Sequence, residues 1–354
     1  MERPTPRELL DHQEALERAD PGGMLEAIGR FPLMAREALE ALGDRELGLA
    51  GGWRHIHVAG MGGSAVGGLL LSDWLYDSSP LPITVERGYR PPAFVGPKSL
   101  VVAVSYSGNT EETLSQLGEA LERGCGAACI TSGGRLAELA EERGLPLVRV
   151  PGGLQPRAAL PWLFYGLACV AHRAGAAGGR WGEVWDSVEE AGRAVEECHP
   201  GVAVDGNPAK EAALALRGRI PLVLAPRGLA SVAYRVSTQI NENAKCPAAY
   251  GFYPEALHNT VMAAEGPKDV VGGMGLLVVG DAEEGLRPRR TGEASRLLGE
   301  AFGAEATLPA TGGSRLARMV SAVVRGDFFS AYLGILYGVD PSSVETISRL
   351  KRVK

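Results

Sequence analysis

Short β-rich segments that alternate with helical segments constrain the fold of this chain more than any other feature. Five of them lie between residues 55 and 151, bounded by glycine, proline or polar residues. They are HIHVAG (55–60), PITVERG (82–88), SLVVAVSYS (99–107), CGAACITS (125–132) and LPLVRVP (145–151). This alternation predicts a parallel sheet covered by helices on both faces, which is a doubly wound α/β domain.

The second half of the chain repeats the scheme. RIPLVLAPRGLASVAYRV (219–236) corresponds to HIHVAGMGGSAVGGLL (55–70), and GMGLLVVGDAEEG (273–285) corresponds to KSLVVAVSYSGNTEE (98–112). In both halves a strand, a glycine-containing loop and a helix are followed by a second strand that ends in a polar loop, which indicates an internal duplication. We therefore predict an α/β protein with two doubly wound domains, both built on parallel sheets.

Helical segments flank these two domains. Apolar residues recur at helical spacing between residues 7 and 50, and a helix is predicted at the C-terminus. The length of 354 residues also favours two domains, since single cores seldom grow much beyond ~250 residues. The predicted division is an N-terminal helical segment (1–50), a first, phosphate-binding domain (51–175), a helical linker (176–206) and a second domain with the C-terminal helix (207–354).

The composition excludes several classes of function. With 45% hydrophobic residues and a formal net charge of -6, the chain has no basic field that would attract nucleic acid. Its five cysteines lack the spacing of a metal site and are expected to be reduced core thiols. The charged N-terminus and the absence of an apolar run of ~18 residues argue against export and membrane insertion. We expect a cytoplasmic protein that needs no metal or other cofactor.

The loop after the third β-rich run is the strongest candidate for a ligand site. A buried strand leads directly into Ser105, Ser107, Asn109 and Thr110, and a helix follows. Small hydroxyl residues at a helix N-terminus suit a phosphate. The alternative is plain helix capping by Asn109, with Glu112 three residues further on. The density of donors favours a ligand.

The matching loop of the second half is chemically different. It reads GDAEEG (280–285), and its carboxylates would repel a phosphate. We therefore predict that only the first domain binds one.

A glycine-rich loop after the first β-rich run offers a competing interpretation. Residues 60–65 fit the dinucleotide fingerprint G-x-G-x-x-A, and Glu86 ends the next strand, where a ribose-binding acid is expected. Tight helix–strand packing also calls for glycine there. However, Ser64 would converge with the three hydroxyls of the neighbouring loop on a single phosphate. We favour a phosphate monoester over NAD.

Five motifs carry a family resemblance. GMGGSAVGG, SYSGNTEET, QPRAAL, NENAKCPAAYGFYPEALHN and DPSSVETISRLK together resemble the sugar isomerase (SIS) superfamily. In order and spacing they resemble the bifunctional phosphoglucose/phosphomannose isomerase family. The resemblance implies SIS (flavodoxin-like) domains and a metal-independent, cis-enediol interconversion of glucose 6-phosphate, mannose 6-phosphate or both with fructose 6-phosphate. It implies Gly62 and Gly63 in the substrate loop, and a homodimer.

The resemblance assigns the catalytic base to Glu242 and the cation that steadies the enediolate to Arg157. Without it, Glu242 could equally form a surface Glu–Lys helix face with Lys245. Arg157 is predicted at the start of an apolar helix, where the helix dipole disfavours a cation, and such a misfit is expected at functional sites. The alternative for Arg157 is an exposed loop arginine.

The resemblance assigns ring opening to His258, which reaches the active site from the partner subunit. From the residues alone, His258 could be a hydrogen-bonded loop residue, or a proton donor at neutral pH because a histidine pKa lies near ~6.5. Thr260 stands where the family continues HNE. A supporting carboxylate is therefore lost or replaced, with Glu255 as the candidate replacement.

The resemblance also brings Lys351 into the active site to assist ring opening. The alternative is a solvated terminal lysine that complements the helix dipole. Ser342 or Ser343 corresponds to the hydroxyl linked to mannose-phosphate tolerance.

Two other classes of function stay open at this point. One is a sugar-phosphate sensor, which needs the phosphate loop but not the four catalytic residues. The other is an NAD-linked oxidoreductase, favoured by GMGGSA and Glu86.

Overall fold

The computed structural model describes residues 4–43, 45–49, 51–280 and 288–350. The backbone divides into two compact units. The first unit is Phe31–Val188, and the second unit combines Met1–Arg30 with Glu189–Lys354. Each unit is built around one parallel sheet.

The described residues contain nine strands, most of them short apolar runs as the sequence predicts. They are β1 (His55–Gly60), β2 (Ile83–Glu86), β3 (Ser99–Val104), β4 (Gly126–Thr131), β5 (Leu147–Arg149), β6 (Ile220–Pro226), β7 (Ala249–Tyr253), β8 (Met274–Val279) and β9 (Glu305–Leu308).

Fifteen α-helices lie in the same residues. They are α1 (Pro6–Asp11), α2 (Gln13–Ala19), α3 (Met24–Gly29), α4 (Phe31–Leu42), α5 (Gly62–Trp74), α6 (Glu111–Glu122), α7 (Gly134–Glu142), α8 (Leu160–Arg173), α9 (Glu183–Cys198), α10 (Pro208–Ala215), α11 (Ala230–Gln239), α12 (Lys268–Val271), α13 (Pro288–Phe302), α14 (Arg315–Leu336) and α15 (Glu345–Leu350).

The sheet of the first unit has the strand order β2-β1-β3-β4-β5, and every pair is parallel. This is the flavodoxin-like order, in which the chain reverses direction across the sheet between β1 and β3. All six residues of β3 are buried, as expected for a central parallel strand with helices on both faces. Ligands of such sheets bind at the carboxyl ends of the strands beside that reversal.

The sheet of the second unit has the order β7-β6-β8-β9, again all parallel. It repeats the first four positions of the other sheet, so that β6 takes the place of β1 and β8 the place of β3. The prediction of two doubly wound parallel sheets with flanking helices is confirmed. The boundary between the units falls within α9, and the four-part domain division stays a prediction.

Helix α14 is the central helix of the second unit. By length and composition alone it could cross a membrane, but the whole of its apolar stretch is buried inside the protein, as in the core helix of a soluble protein.

Helix α14 also carries Asp327, which pairs with Arg235 of α11 through two hydrogen bonds of 3.0 and 2.8 Å. Both side chains are buried, so each charge depends on the other for solvation.

The N-terminal helices α1, α2 and α3 belong to the second unit. The buried Lys210 side chain of α10 donates hydrogen bonds to the carbonyls of Leu10, Pro200 and Val202 at 2.6 to 2.8 Å. Three carbonyl acceptors replace the water that this ammonium loses on burial. Lys210 therefore fixes the end of α1 to the second unit.

The five cysteines are free, and four of them are buried. Burial raises the pKa of Cys129, Cys169 and Cys198 to about 12, which keeps these thiols protonated and unreactive. Among the described residues no group of three or more His, Cys, Asp or Glu side chains could hold a metal ion.

Candidate active site

The hydroxyl loop begins where β3 ends. Ser105 is buried, its Oγ lies 2.8 Å from Thr110 Oγ1, and it accepts the Gly108 N–H at 3.1 Å. Helix α6 starts at Glu111 with Thr110 as its N-cap, and Thr110 makes no side-chain capping bond. The capping interpretation, which placed Asn109 at the N-cap, is therefore wrong. The Thr110 hydroxyl turns towards Ser105 instead, which gathers donors at the start of the helix.

Asn109 fastens this loop to the neighbouring one. Its Oδ1 accepts the backbone N–H of Arg135 at 3.0 Å, and its Nδ2 donates to the Ser107 carbonyl at 3.2 Å. Gly108 has a φ of +70°, and a Cβ placed there would lie 1.8 Å from the Gly133 carbonyl oxygen. Only glycine allows this approach, so the two loops meet backbone to backbone.

The glycine-rich loop begins directly beside the hydroxyl loop. Gly60, the last residue of β1, pairs in register with Val104, the last residue of β3. Helix α5 starts at Gly62, whose φ is +51°, and the buried Ser64 lies in its first turn. The N–H groups of a first helical turn have no acceptor within the helix. Both loops thus present donors at the same edge of the sheet.

Arg157 lies in a turn that contacts the glycine-rich loop. A Cβ added to Gly63 would lie 3.4 Å from the Pro156 carbonyl oxygen and 3.6 Å from the Arg157 Cα. Arg157 precedes α8 by three residues and is only 3% exposed, so the alternative of an exposed loop arginine is wrong. A buried arginine whose backbone adjoins the glycine-rich loop adds positive charge to this edge of the sheet.

Glu86, the residue that suggested a ribose site, is the last residue of β2, and its carboxylate accepts a hydrogen bond from the backbone there. Its Oε1 accepts the backbone N–H of Arg87 at 2.8 Å. The carboxylate thus already has a local structural role.

In the second unit, Glu242 lies on a π-helical turn, Ile240–Ala244, that continues α11. Single π turns inside helices occur frequently at functional sites, because the wider turn redirects side chains and frees carbonyl groups. Glu242 is half-buried and lines a cavity of about 570 Å³. The other lining residues are Asn241, Lys245, Cys246, Pro247, Ser343, Val344, Glu345, Thr346 and Ile347.

Lys245 ends this turn in the left-handed region, with a φ of 54°, and among the described residues no other non-glycine residue has a positive φ. Its ammonium donates to the carbonyls of Glu242 at 2.6 Å and Asp340 at 3.0 Å. Lys245 therefore does not extend a Glu–Lys helix face, as the surface interpretation required. It joins the turn to the chain before α15 instead.

Helix α14 supports the π turn from the other side. Asn243 Nδ2 donates to Ser330 Oγ at 2.9 Å. A Cβ added to Gly334 would lie 2.5 Å from the Asn243 carbonyl oxygen, so the backbone of α14 approaches the turn as closely as glycine allows. The position of Glu242 is thus set by a buried helix.

His258 is exposed and follows a 3₁₀ turn, Glu255–Leu257. The Glu255 carboxylate accepts a hydrogen bond from Asn259 Nδ2 at 2.7 Å, and in the described part of the chain it has no bond to the His258 ring. The suggestion that Glu255 replaces the missing carboxylate is therefore not supported. The Asn259 Oδ1 accepts hydrogen bonds from the backbone N–H of Thr260 and, at 2.8 Å, from the Thr260 hydroxyl.

Three predictions concern the remaining residues. Lys351 lies outside the described residues, as do residues 281–285 of the acidic loop. Of the two candidate serines, Ser343 lines the cavity with Glu242, while Ser342 is buried against Gly22.

No local pattern in the sequence indicates the π turn or the carbonyl contacts of Lys245, because both depend on tertiary packing.

Comparison with known proteins agrees with this architecture. Residues 205–353 match the model of the bacterial phospho-glucose isomerase C-terminal SIS domain. The chain is 37% identical over 296 residues to a bifunctional phosphoglucose/phosphomannose isomerase of Caldicellulosiruptor bescii, covering 83% of this chain and 87% of the relative. A protein of the same name from Aquifex aeolicus is 36% identical over 84% of this chain and 90% of its own.

The fold also matches solved structures. A hypothetical protein from Thermus thermophilus superposes with a TM-score of 0.72 at 19% identity, over 97% of this chain and 94% of the other. The match to the SIS domain model, together with a parallel sheet in each unit, places the chain in the SIS class. Within that class, the chain belongs to the bifunctional phosphoglucose/phosphomannose isomerase family.

Proposed function

We propose that this protein interconverts glucose 6-phosphate and mannose 6-phosphate with fructose 6-phosphate through a cis-enediol. The observation that carries the proposal is the match to relatives named for this pair of activities over more than four-fifths of the chain. Each unit by itself is compatible with it, since the first offers a loop of hydroxyl groups suited to a phosphate and the second a carboxylate that lines a cavity.

The first unit would hold the substrate by its phosphate. Ser105 and Thr110, already 2.8 Å apart, donate to phosphate oxygens together with Ser64, Ser107 and the N–H groups of α5 and α6. The Gly62–Gly63 segment lets the substrate approach the backbone. Arg157 then places its guanidinium near the two oxygens that share the enediolate charge.

Glu242 would transfer the proton. In the open-chain aldose its carboxylate removes the proton on C2, and the electron pair forms the C1–C2 double bond of the enediolate. The C1 carbonyl π pair moves onto O1, which takes up the proton of the C2 hydroxyl. The same carboxylic acid then returns its proton to C1, and the charge left on O2 forms the ketone at C2. His258 and Lys351 open the ring before this step, His258 by donating a proton to the ring oxygen.

The proposed assembly is a homodimer in the cytoplasm, with His258 donated to the partner's site. The exposure of His258 and of Tyr250 on the edge strand β7 supports a partner at this surface. The reaction needs no nucleic acid, membrane or cofactor, and EDTA is expected to leave the activity unchanged.

A coupled assay of the purified protein with each hexose 6-phosphate tests the function. Turnover with both substrates, and none with the free sugars, is expected. A Ser105→Ala, Thr110→Val variant should raise KM by at least about tenfold, because hydrogen bonds to a charged phosphate are lost. Binding of hexose phosphates without turnover would instead identify a sensor.

A further inference from the structure

Tyr106 lies in the middle of the hydroxyl loop, but its side chain reaches a different part of the first unit. The ring is 8% exposed. Its hydroxyl donates a hydrogen bond to the Pro151 carbonyl at 3.0 Å and accepts the Leu154 N–H at 2.7 Å. The Tyr106 hydroxyl thus acts both as donor and as acceptor, and both hydrogen bonds go to one segment that lies nearly fifty residues away in sequence.

The backbone of Tyr106 is fixed as firmly as its side chain. Its carbonyl accepts hydrogen bonds from the Ser132 N–H at 3.0 Å and from Ser132 Oγ at 2.7 Å. The residue on each side of it, Ser105 and Ser107, belongs to the phosphate loop. Tyr106 is thus a rigid connection between this loop and the segment that its hydroxyl holds.

That segment, residues 150–156, leads to Arg157. It joins β5 to α8 and contains neither strand nor helix, and Gly153 within it has a φ of +83°. Residues 151–153 are exposed, whereas Arg157 is buried. A surface segment of this kind needs a fixed point to place a buried guanidinium, and Leu154, bound by Tyr106, is three residues from Arg157.

We propose that Tyr106 is a positioning residue that places Arg157 relative to the bound phosphate. This proposal rests on the proposed function, in which Arg157 steadies the enediolate. The hydroxyl of Tyr106 connects the phosphate loop, residues 105–110, to the segment 150–156 that leads to Arg157. The distance between the substrate's phosphate and the Arg157 cation is therefore set by the fold. A small displacement of a catalytic group lowers kcat while leaving the binding groups in place.

Tyr106→Phe keeps the ring and removes only the hydroxyl. We expect kcat to fall by about tenfold and KM to change by less than about twofold, with the Kd for inorganic phosphate unchanged. Tyr165→Phe is the matched control. Tyr165 is also buried in the first unit, and its hydroxyl lies 2.7 Å from Ser187 Oγ of α9, which is outside the segment 150–156. Its loss should leave kcat unchanged.

A double-mutant cycle with Arg157→Lys separates positioning from general destabilisation. If Tyr106 acts through Arg157, adding Tyr106→Phe to Arg157→Lys should change kcat by less than about twofold. Independent, multiplicative losses would overturn the proposal, as would a wild-type kcat in Tyr106→Phe.

Amide hydrogen exchange supplies a readout that does not depend on turnover. In Tyr106→Phe the Leu154 amide should exchange at least about tenfold faster, while amides in the middle of α6, such as that of the buried Leu117, keep their protection. Unchanged exchange at Leu154 would overturn the proposal even in an active enzyme. Absence of isomerase activity in the wild type would overturn the proposed function instead, and with it the role of Tyr106 towards Arg157.

Discussion

The ammonium of Lys245 donates a hydrogen bond to the backbone carbonyl of Glu242 at 2.6 Å. The same ammonium binds the carbonyls of Asp340 and Pro341 at 3.0 and 3.3 Å. A π turn leaves carbonyl groups without helical partners, and here a lysine in a left-handed conformation satisfies one of them. The proposed base is therefore held from its backbone side.

Lys245→Met keeps the aliphatic stem and removes the ammonium. We expect kcat to fall by about tenfold with little change in KM, because the Glu242 turn loses its anchor. Steady-state kinetics with fructose 6-phosphate measures this. Lys245→Gly is the companion variant, since glycine relieves the positive φ and should recover stability but not kcat. Wild-type kcat in both variants would contradict the anchoring role.

Glu242→Gln tests the base directly. The amide is nearly isosteric but cannot accept the C2 proton, so turnover should fall by at least about 100-fold. Binding of a non-reacting sugar phosphate, measured by calorimetry, should be retained because the phosphate loop is untouched. Substantial residual turnover would remove Glu242 from this role.

Mixing two inactive variants tests whether His258 serves the partner's site. A heterodimer of Glu242→Gln and His258→Asn would contain one doubly altered site and one intact site if the histidine crosses the interface. After subunit exchange the mixture should recover about a quarter of the wild-type activity, since half the dimers are mixed. If His258 serves its own subunit, every site stays altered and no activity returns.

A buried histidine network predicts how stability depends on pH. His57 Nε2 lies 3.1 Å from Gln116 Oε1, and His57 Nδ1 lies 3.0 Å from Thr84 Oγ1. Gln116 donates its Nε2 to the Gly88 carbonyl at 2.7 Å, so its oxygen accepts and His57 Nε2 must carry the proton. Burial lowers the pKa of His57, and it also lowers the pKa of the neighbouring His55.

These histidines are neutral in the fold and bind protons more readily once the chain unfolds. Stability is therefore present above the unfolded pKa of ~6.5 and is lost as the pH falls below it. Denaturant unfolding between about pH 7.5 and 5 should show this loss, and His57→Gln should reduce the slope. A pH-independent wild type would contradict the prediction.

Loss of the buried Arg235–Asp327 ion pair should lower the free energy of unfolding much more than loss of an exposed ion pair. Asp327→Asn leaves a buried guanidinium without its counter-charge and should cost about 3 to 5 kcal/mol. The exposed Arg296, which pairs with Glu293 and Glu300, is the control, and Arg296→Met should cost less than about 1 kcal/mol. Chemical denaturation measures both, and equal effects would refute the distinction.

The features that the sequence predicts correctly are local ones. Parallel strands are continuous apolar runs that end in glycine or polar residues, so β1, β3 and β4 can be located without tertiary information. The hydroxyl pair Ser105 and Thr110 is also local, since the two residues are five positions apart in the sequence. The convergence of these two hydroxyls was predictable for that reason, while phosphate binding by the loop stays a prediction.

The features that the sequence does not predict depend on contacts between distant segments. Asn109 is displaced from the N-cap because its side chain binds Arg135, 26 residues away. Arg157 is buried because its turn meets Gly63, which no local pattern indicates. The π turn at Glu242 likewise depends on α14, where Gly334 admits the Asn243 carbonyl.

The close approach of Gly108 to Gly133 has a thermodynamic consequence. Where the Gly108 and Gly133 backbones meet, no side chain needs to rearrange, so the proposed phosphate loop is expected to have its bound shape before substrate arrives. Little conformational entropy is then lost by the protein when the phosphate binds. Ring opening and rotation about the sugar carbons must be accommodated by the ligand itself, which moves as a flexible chain fixed at one end.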